Sequence, residues 1–339
     1  VLENMGDADR PSAGLMSFVL PVHNEAANVH PLHSRLTAIV ERLGCDAEFI
    51  YINDGSRDES LGVLRGLAGR DPRVVVIDFS RNFGHQIAVT AGLDEARGDA
   101  VVIMDTDLQD PPEVVFDLVA AWRRGADVAY AQRRTRKDSW FKRTTAAAYY
   151  RLLRRLSDID IPANTGDFRL IDRRVVDELK KYREVDRYLR GMVSHVGFTQ
   201  VAVPFDRDQR LHGETGYPMA KMLKLAADGI LGFSTFPLMV ISRIGFLASG
   251  LAVLGALYAL AMKLFAPQNV VDGWTFIVMS VLFVGGLQIS MLGILGQYIG
   301  RIYREVQDRP LYTVRSVYRH GEGRPPAPAP RGAARVGDA

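Results

Sequence analysis

The chain has 339 residues, with 42 Lys/Arg against 39 Asp/Glu for a net charge of +3, and a single cysteine. So small a net charge gives no whole-molecule case for a nucleic-acid partner, and one cysteine rules out an internal disulfide. The length allows one large domain plus an appendage. Segment 1–14 is polar, contains Gly and Pro, and lacks the apolar core of a signal peptide; it is expected to be disordered, or an expression remnant ahead of Met5. Met16-Ser-Phe-Val-Leu-Pro-Val-His-Asn-Glu25 reads as a strand running into a polar turn, with a helix following to about Leu43. A second strand spans Ala47–Ile52 and ends in Asn53-Asp-Gly-Ser56; a helix follows over about Ser60–Leu67. Arg73–Asp78 is a third strand, Ser80–Gly84 a loop, Gln86–Ala96 a helix and Val101–Met104 a fourth strand. Strands alternating with helices at this spacing predict βαβ units and a mainly parallel sheet, an α/β fold. Every strand ends in polar or acidic groups, so one rim collects Glu25, Asp54, Asp78, Asp105 and Asp107. Ligands of open α/β sheets bind beyond the carboxyl ends of the strands.

The chemistry centres on Asp105-Thr-Asp-Leu-Gln-Asp-Pro-Pro112. Two carboxylates one residue apart suit a hard divalent cation that also holds phosphate oxygens. A solvated acidic turn before a helix that opens on Pro111 and Pro112 has the same composition. There is no G-x-G-x-x-G after the first strand and no P-loop. A diphosphate bound here therefore needs another counterion, and a metal on Asp105 and Asp107 supplies one. His85, after Gly84, fits either a structural or a ligand-lining role.

Two uncharged runs stand near the C-terminal end, Ile244–Met262 and Gly273–Gly300. Each is long enough to cross about 30 Å of hydrocarbon at about 1.5 Å per residue. They predict a two-helix transmembrane hairpin, with spans at about 244–264 and 274–299. Lys221, Lys224 and Arg243 precede it, Arg301, Arg304 and Arg309 follow it, and the connector carries one basic residue, Lys263. This asymmetry places the N-terminal domain and both termini in the cytoplasm, on the inner (cytoplasmic) membrane. Gly285, Gly286, Gly293 and Gly296 permit close helix packing, so a homo-oligomer, dimer or tetramer, is expected. The chain then divides into segment 1–14, a cytoplasmic α/β domain 15–212, amphipathic juxtamembrane helices 213–242, the hairpin 243–300, and a cytoplasmic tail 301–339, largely disordered after 319.

Pro21-Val-His-Asn-Glu25, Asn53-Asp-Gly-Ser56, Asp105-Thr-Asp107 with its Leu-Gln-Asp-Pro-Pro112 sequel, Asn164-Thr-Gly-Asp-Phe-Arg-Leu-Ile-Asp172 and His212-Gly-Glu-Thr-Gly-Tyr-Pro218 together resemble glycosyltransferase family 2, with its GT-A Rossmann-like fold and D-x-D motif. With the predicted hairpin they resemble its polyprenyl-phosphate glycosyltransferases, near the bactoprenol glucosyltransferases and dolichol-phosphate mannose synthases. The resemblance covers about residues 15–310. It implies transfer of a hexose from a nucleotide-sugar to a polyprenyl phosphate in the bilayer, with Mg²⁺ or Mn²⁺ as cofactor.

On that resemblance Pro21, Asn24, Glu25, Asp54 and Asp105 line the donor pocket. Asp105 and Asp107, with Gln109, form the metal set, and Asp167 is the catalytic aspartate. As a residue, Asp167 also fits a turn carboxylate paired with Arg169. The acceptor phosphate has a second pKa of about 6 and is mostly ionised at neutral pH, so a base is barely needed and Asp167 is expected to orient a substrate. Arg207, Arg210, His212 and Lys221 are the candidate acceptor-phosphate cations. Two amphipathic segments, Trp140–Leu156 and Tyr217–Ile230, fit helices at the membrane interface. A single in-line displacement implies inversion, giving a β-linked product. UDP-glucose is the expected donor and GDP-mannose the alternative; a non-catalytic membrane adaptor that binds nucleotide-sugar or lipid is the rival from another class. Gly216 stands where relatives often carry lysine.

Overall fold

The computed structural model describes residues 14–133, 165–206 and 273–321 continuously, with scattered positions between 241 and 265. The chain separates into two compact units; the described part of the first is 14–133, 165–206 and 310–321, and that of the second lies between 241 and 309. The first half of unit one alternates as predicted: β1 (Leu15–Val22), α1 (Ala26–Leu43), β2 (Asp46–Asn53), α2 (Ser60–Arg70), β3 (Val74–Phe79), α3 (His85–Glu95), β4 (Ala100–Ile103) and α4 (Val114–Arg123). Then come β5 (Val128–Arg133), β6 (Thr165–Asp172), α5 (Arg173–Leu179), α6 (Leu189–Val196) and β7 (Gln200–Phe205). Helix α7 (Trp274–Val306) belongs to unit two, and β8 (Val314–Arg319) returns to unit one.

The strands form one eight-stranded sheet in the order β7-β5-β6-β4-β1-β2-β3-β8. β1 is buried from Met16 to Val22 because side chains alternate between two covered faces. Met16, Phe18, Leu20 and Val22 pack with Val29, Leu32 and Leu36 of α1 and Leu118 and Trp122 of α4. Val19 packs on the other face with Ile50, Ile77 and the α3 residues Ala88 and Val89. α1 and α2 thus cover one face and α3 the other. The face changes because β2 and β3 extend the sheet on one side of β1 while β4 pairs on its other side. That reversal makes the carboxyl ends of β1 and β4 a topological switch point, where an open α/β sheet leaves a crevice.

Two features depart from the predicted parallel order. β6 runs antiparallel to both β4 and β5, interrupting the parallel order. β8, within the segment read as a tail, pairs antiparallel with β3 at the sheet edge. α7 has 33 residues. Its stretch Phe283–Val306, 24 residues at mean hydropathy 1.3, is long and apolar enough to cross a membrane, and it is the one such helix among the described residues. The predicted first span, 244–264, falls largely outside the described residues. The amphipathic segments 140–156 and 217–230 lie outside the described residues.

Candidate active site

The crevice is built from the polar ends of the strands. Past β1, Asn24 adopts φ +59°, a left-handed conformation that asparagine tolerates better than most residues. Its side-chain oxygen accepts from Arg57 N at 2.8 Å, and its own amide donates to Ser56 Oγ at 3.1 Å. These bonds tie the end of β1 to the turn after β2. Glu25 accepts from Asn28 Nδ2, and partial burial together with the charges of Asp107 and Asp58 raises its pKa.

Asp54 is 3% exposed. Its carboxylate accepts from the backbone amides of Phe83 at 2.6 Å and Gly84 at 3.0 Å, so it pins the loop between β3 and α3. Gly55 lets that loop pass. Its φ is +63°, and a Cβ there would stand 2.5 Å from Asn82 N and 2.6 Å from the Arg81 carbonyl carbon.

Past β4, Thr106 is 2% exposed and its hydroxyl donates to Pro21 O at 3.0 Å. Pro21 itself is buried. The middle residue of Asp105-Thr-Asp107 therefore ties the motif to β1 and leaves its two aspartates on the rim. Asp107 Oδ1 accepts from Gln109 N at 3.0 Å, closing a turn in which Leu108 is held at φ +54°. A non-glycine residue there stores roughly 1–3 kcal/mol of strain, and such strain clusters at functional sites.

The remaining carboxylate comes from β6. In the antiparallel ladder Ala100 faces Asp172 and Ile103 faces Arg169. Beyond the last pair, Asp105 of the β4 end and Asp167 of β6 approach the same side chain, although they are 62 positions apart in the sequence. His85 Nε2 stands between the two, 3.1 Å from Asp167 Oδ2 and 3.5 Å from Asp105 Oδ1. Gln86 Nε2 also donates to Asp167 Oδ2, at 3.0 Å, and Gln86 Oε1 accepts from Leu189 N at the start of α6. Arg190 Nε donates to Asp167 Oδ1 at 2.8 Å. Arg169, suggested by the sequence as the partner, stands farther off at 3.9 Å and spends its donors on the carbonyls of Gly166 and Asp167.

These surroundings set the charges. Burial opposes ionisation of Asp167, but His85, Arg190 and Arg169 outweigh it and hold the carboxyl far below the ordinary range. Asp105 goes the other way. Its side chain keeps 47% of its surface, yet crowding by protein atoms withholds enough solvent to push it up to about 6. His85 opposes that rise, while Asp167, Asp107 and Asp110 add to it. Burial lowers the His85 pKa, and the two aspartates more than reverse this, so the imidazole favours its charged form. Asp110 is paired with Arg133 at 3.2 Å.

Among the described residues no three His, Cys, Asp or Glu side chains converge as a complete metal set, and no cation pairs with Asp107. Asp105, which faces His85, and Asp107 are hard oxygen donors. They fit a divalent ion that draws its other ligands from a bound diphosphate. The candidate acceptor cations Arg207, Arg210, His212 and Lys221 lie outside the described residues. The sequence reading missed Gln86 and Arg190 and left His85 open. The polar run Asn82-Phe-Gly-His-Gln86 at a helix start was the available signal for two of these; nothing local marked Arg190.

A mixed α/β sheet with a parallel core, an inserted antiparallel strand and an antiparallel edge strand, and with carboxylates gathered at its switch point, fits a GT-A-like fold. The Glycosyl transferase family 2 model matches residues 17–180. The uncharacterized glycosyltransferase YkcC of Bacillus subtilis (strain 168) is 48% identical over 89% of this chain and 94% of its own. The SfII prophage-derived bactoprenol glucosyl transferase of Shigella flexneri is 40% identical over 90% and 98%. The prophage bactoprenol glucosyl transferase homolog of Escherichia coli (strain K12) is 39% identical over 89% and 99%. The chain belongs to glycosyltransferase family 2, and the protein is a glycosyltransferase.

Proposed function

We propose that this enzyme transfers glucose from UDP-glucose to a polyprenyl phosphate with inversion. The products are a β-linked polyprenyl-monophosphate glucose, a lipid-linked donor for cell-envelope glycosylation, and UDP. The observation that carries this reading is the approach of Asp105 and Asp167, from the β4 end and from β6, to one imidazole, His85. Relatives about 40% identical over nearly their whole length and named bactoprenol glucosyl transferases support the choice of sugar and lipid. The apolar stretch in α7 supports a membrane-embedded acceptor.

The residues divide the work as follows. Asn24, Glu25 and Asp105 face the donor side, and Asp54 acts there through the loop it pins. A divalent cation, Mg²⁺ or Mn²⁺, held by Asp105 and Asp107 with Gln109, would supply positive charge to the leaving diphosphate. The acceptor phosphate oxygen attacks the anomeric carbon as the bond to the diphosphate breaks, and the bonding pair leaves with UDP. No proton need move, since the acceptor is ionised at neutral pH. This suits Asp167, whose depressed pKa makes it a poor base. It holds His85 and Arg190 in place beside the incoming phosphate, with Arg190 as fixed positive charge.

The test is turnover by the full chain in detergent or nanodiscs with polyprenyl phosphate, Mn²⁺ and UDP-glucose, read by mass spectrometry of the lipid product. Product that disappears with EDTA is the expected result. Product from GDP-mannose alone would move the enzyme to the mannose synthases, and no product from either donor would overturn the reading.

A further inference from the structure

Strand β8 adds to the sheet edge next to β3, where the loop to α3 begins. Val75 pairs with Arg319 and Asp78 with Ser316; the register shifts at Phe79, which pairs with Val314. Beyond the strand, Ser80 N donates to Thr313 O at 3.0 Å. Arg315 Nη2 donates to Ser80 O at 2.7 Å. Both backbone groups of the first loop residue are thus held by the segment that follows α7 in the chain.

Asp78 is 1% exposed. Its Oδ1 accepts from Asn53 Nδ2 at 2.7 Å, while its Oδ2 has no hydrogen-bond partner. The charge facing that oxygen is Arg315, with Nη1 at 3.6 Å. Tyr312 stacks on Phe79 at 5.2 Å, and Phe83 meets Phe79 edge-on at 5.4 Å. The Tyr312 hydroxyl donates to Asp94 Oδ2 at 2.9 Å, so the same segment is also fastened to α3.

We propose that β8 is a working part of the transfer site and that Arg315 is a positioning residue acting through the 80–84 loop. One end of the loop is fixed at Ser80 by Arg315 and Thr313, and the other at Phe83 and Gly84 by Asp54. The next two residues, His85 and Gln86, hold Asp167. Only three residues separate Ser80 from Gly84, so slack at the first anchor passes to the imidazole. In a site where a misplacement of about 1 Å can cost about a hundredfold in rate, that slack reaches turnover although Arg315 touches no substrate. Membrane segment and catalytic fold are then not separable modules: the chain must return from the former to complete the latter.

The proposal rests on the transferase reading, and its test keeps the two apart. R315A and R315K are compared with wild type, as full chains, in steady-state turnover and in hydrogen exchange of the Phe83 and Gly84 amides. Arg315 is 58% exposed but is the charge facing the buried Asp78 Oδ2, so R315A is expected to lower the unfolding midpoint while staying folded at the assay temperature. It is expected to lower kcat by about tenfold or more, raise the donor KM less than threefold, and speed exchange at both amides; R315K, which keeps the charge without the fork, recovers part of each effect. Wild-type kcat and wild-type exchange in R315A would overturn the proposal. Should R315A lose its unfolding transition, R315K decides by the same readouts. Should wild type transfer no sugar, exchange alone decides, unchanged protection in R315A counting against the role of β8.

Discussion

Asp167→Asn is the perturbation that most directly probes how this site is held. Asparagine keeps the shape but removes the charge that faces His85, Arg190 and the 3%-exposed Arg169. Removing one partner of a buried ion pair leaves the other charge uncompensated, at a cost of about 3–5 kcal/mol. Arg190 and His85 are partly solvated, 30% and 39% exposed, so the lower end, about 3 kcal/mol, is the expected loss. At about 2–4 °C per kcal/mol for a unit of this size, Tm should fall by roughly 6–12 °C at neutral pH. The pH dependence separates this from a packing defect. The Asp167 pKa lies below its unfolded value of about 3.9. Its contribution is therefore fully present above that value and lost as pH falls below it, because the unfolded chain binds the proton first. Thermal melts of wild type and D167N between pH 3 and pH 8 should show a gap that is constant above about pH 5 and narrows toward pH 3. Equal melting at pH 7, or a gap that persists unchanged to pH 3, would refute the account of Asp167 as the anion of a built charge cluster.

Two further substitutions test the loop and the bridge. Gly55→Ala puts a methyl against the backbone of Arg81 and Asn82 at a positive φ; it should destabilise by more than about 1 kcal/mol and raise the donor KM, which urea denaturation and initial rates measure. His85→Ala removes the cation that opposes the rise of the Asp105 pKa from its ordinary value to about 6. That carboxyl should then hold its proton to higher pH, and the pH of half-maximal Mn²⁺ binding, followed by electron paramagnetic resonance, should move upward from wild type. An unmoved midpoint would show that His85 and Asp105 do not interact in solution.

The first hundred residues were legible because each strand there is a short apolar run closed by polar turn residues. β1 through β4 are buried on both faces and need no partner-specific pattern to be recognised. β8 was not legible for the opposite reason. Val-Arg-Ser-Val-Tyr-Arg, over 314–319, carries two arginines and is half-covered at a sheet edge, and it stands beside a run rich in proline and arginine that reads as a tail. Its strand character comes from β3, which supplies an open edge, and no local property of 314–319 announces that edge.

The same distinction explains the site. Asp105 and Asp107 could be read directly, since their spacing and their place after a strand are local facts. That Asp167 stands against Asp105 depends on β6 inserting antiparallel between β4 and β5, a tertiary event governed by which strand fills the gap rather than by residues 164–172 alone. Once the insertion is made, the register leaves little freedom. The ladder ends at Ile103 and Arg169, and the two carboxylates lie two residues beyond it. Two carboxylates so placed repel, and the fold answers with His85, delivered by the third element of the site, the 80–84 loop. The imidazole thus bridges two carboxylates that β4 and β6 bring together. A substitution that slipped that register by one residue would turn Asp167 to the other face of the sheet and leave His85 bound to Asp105 alone.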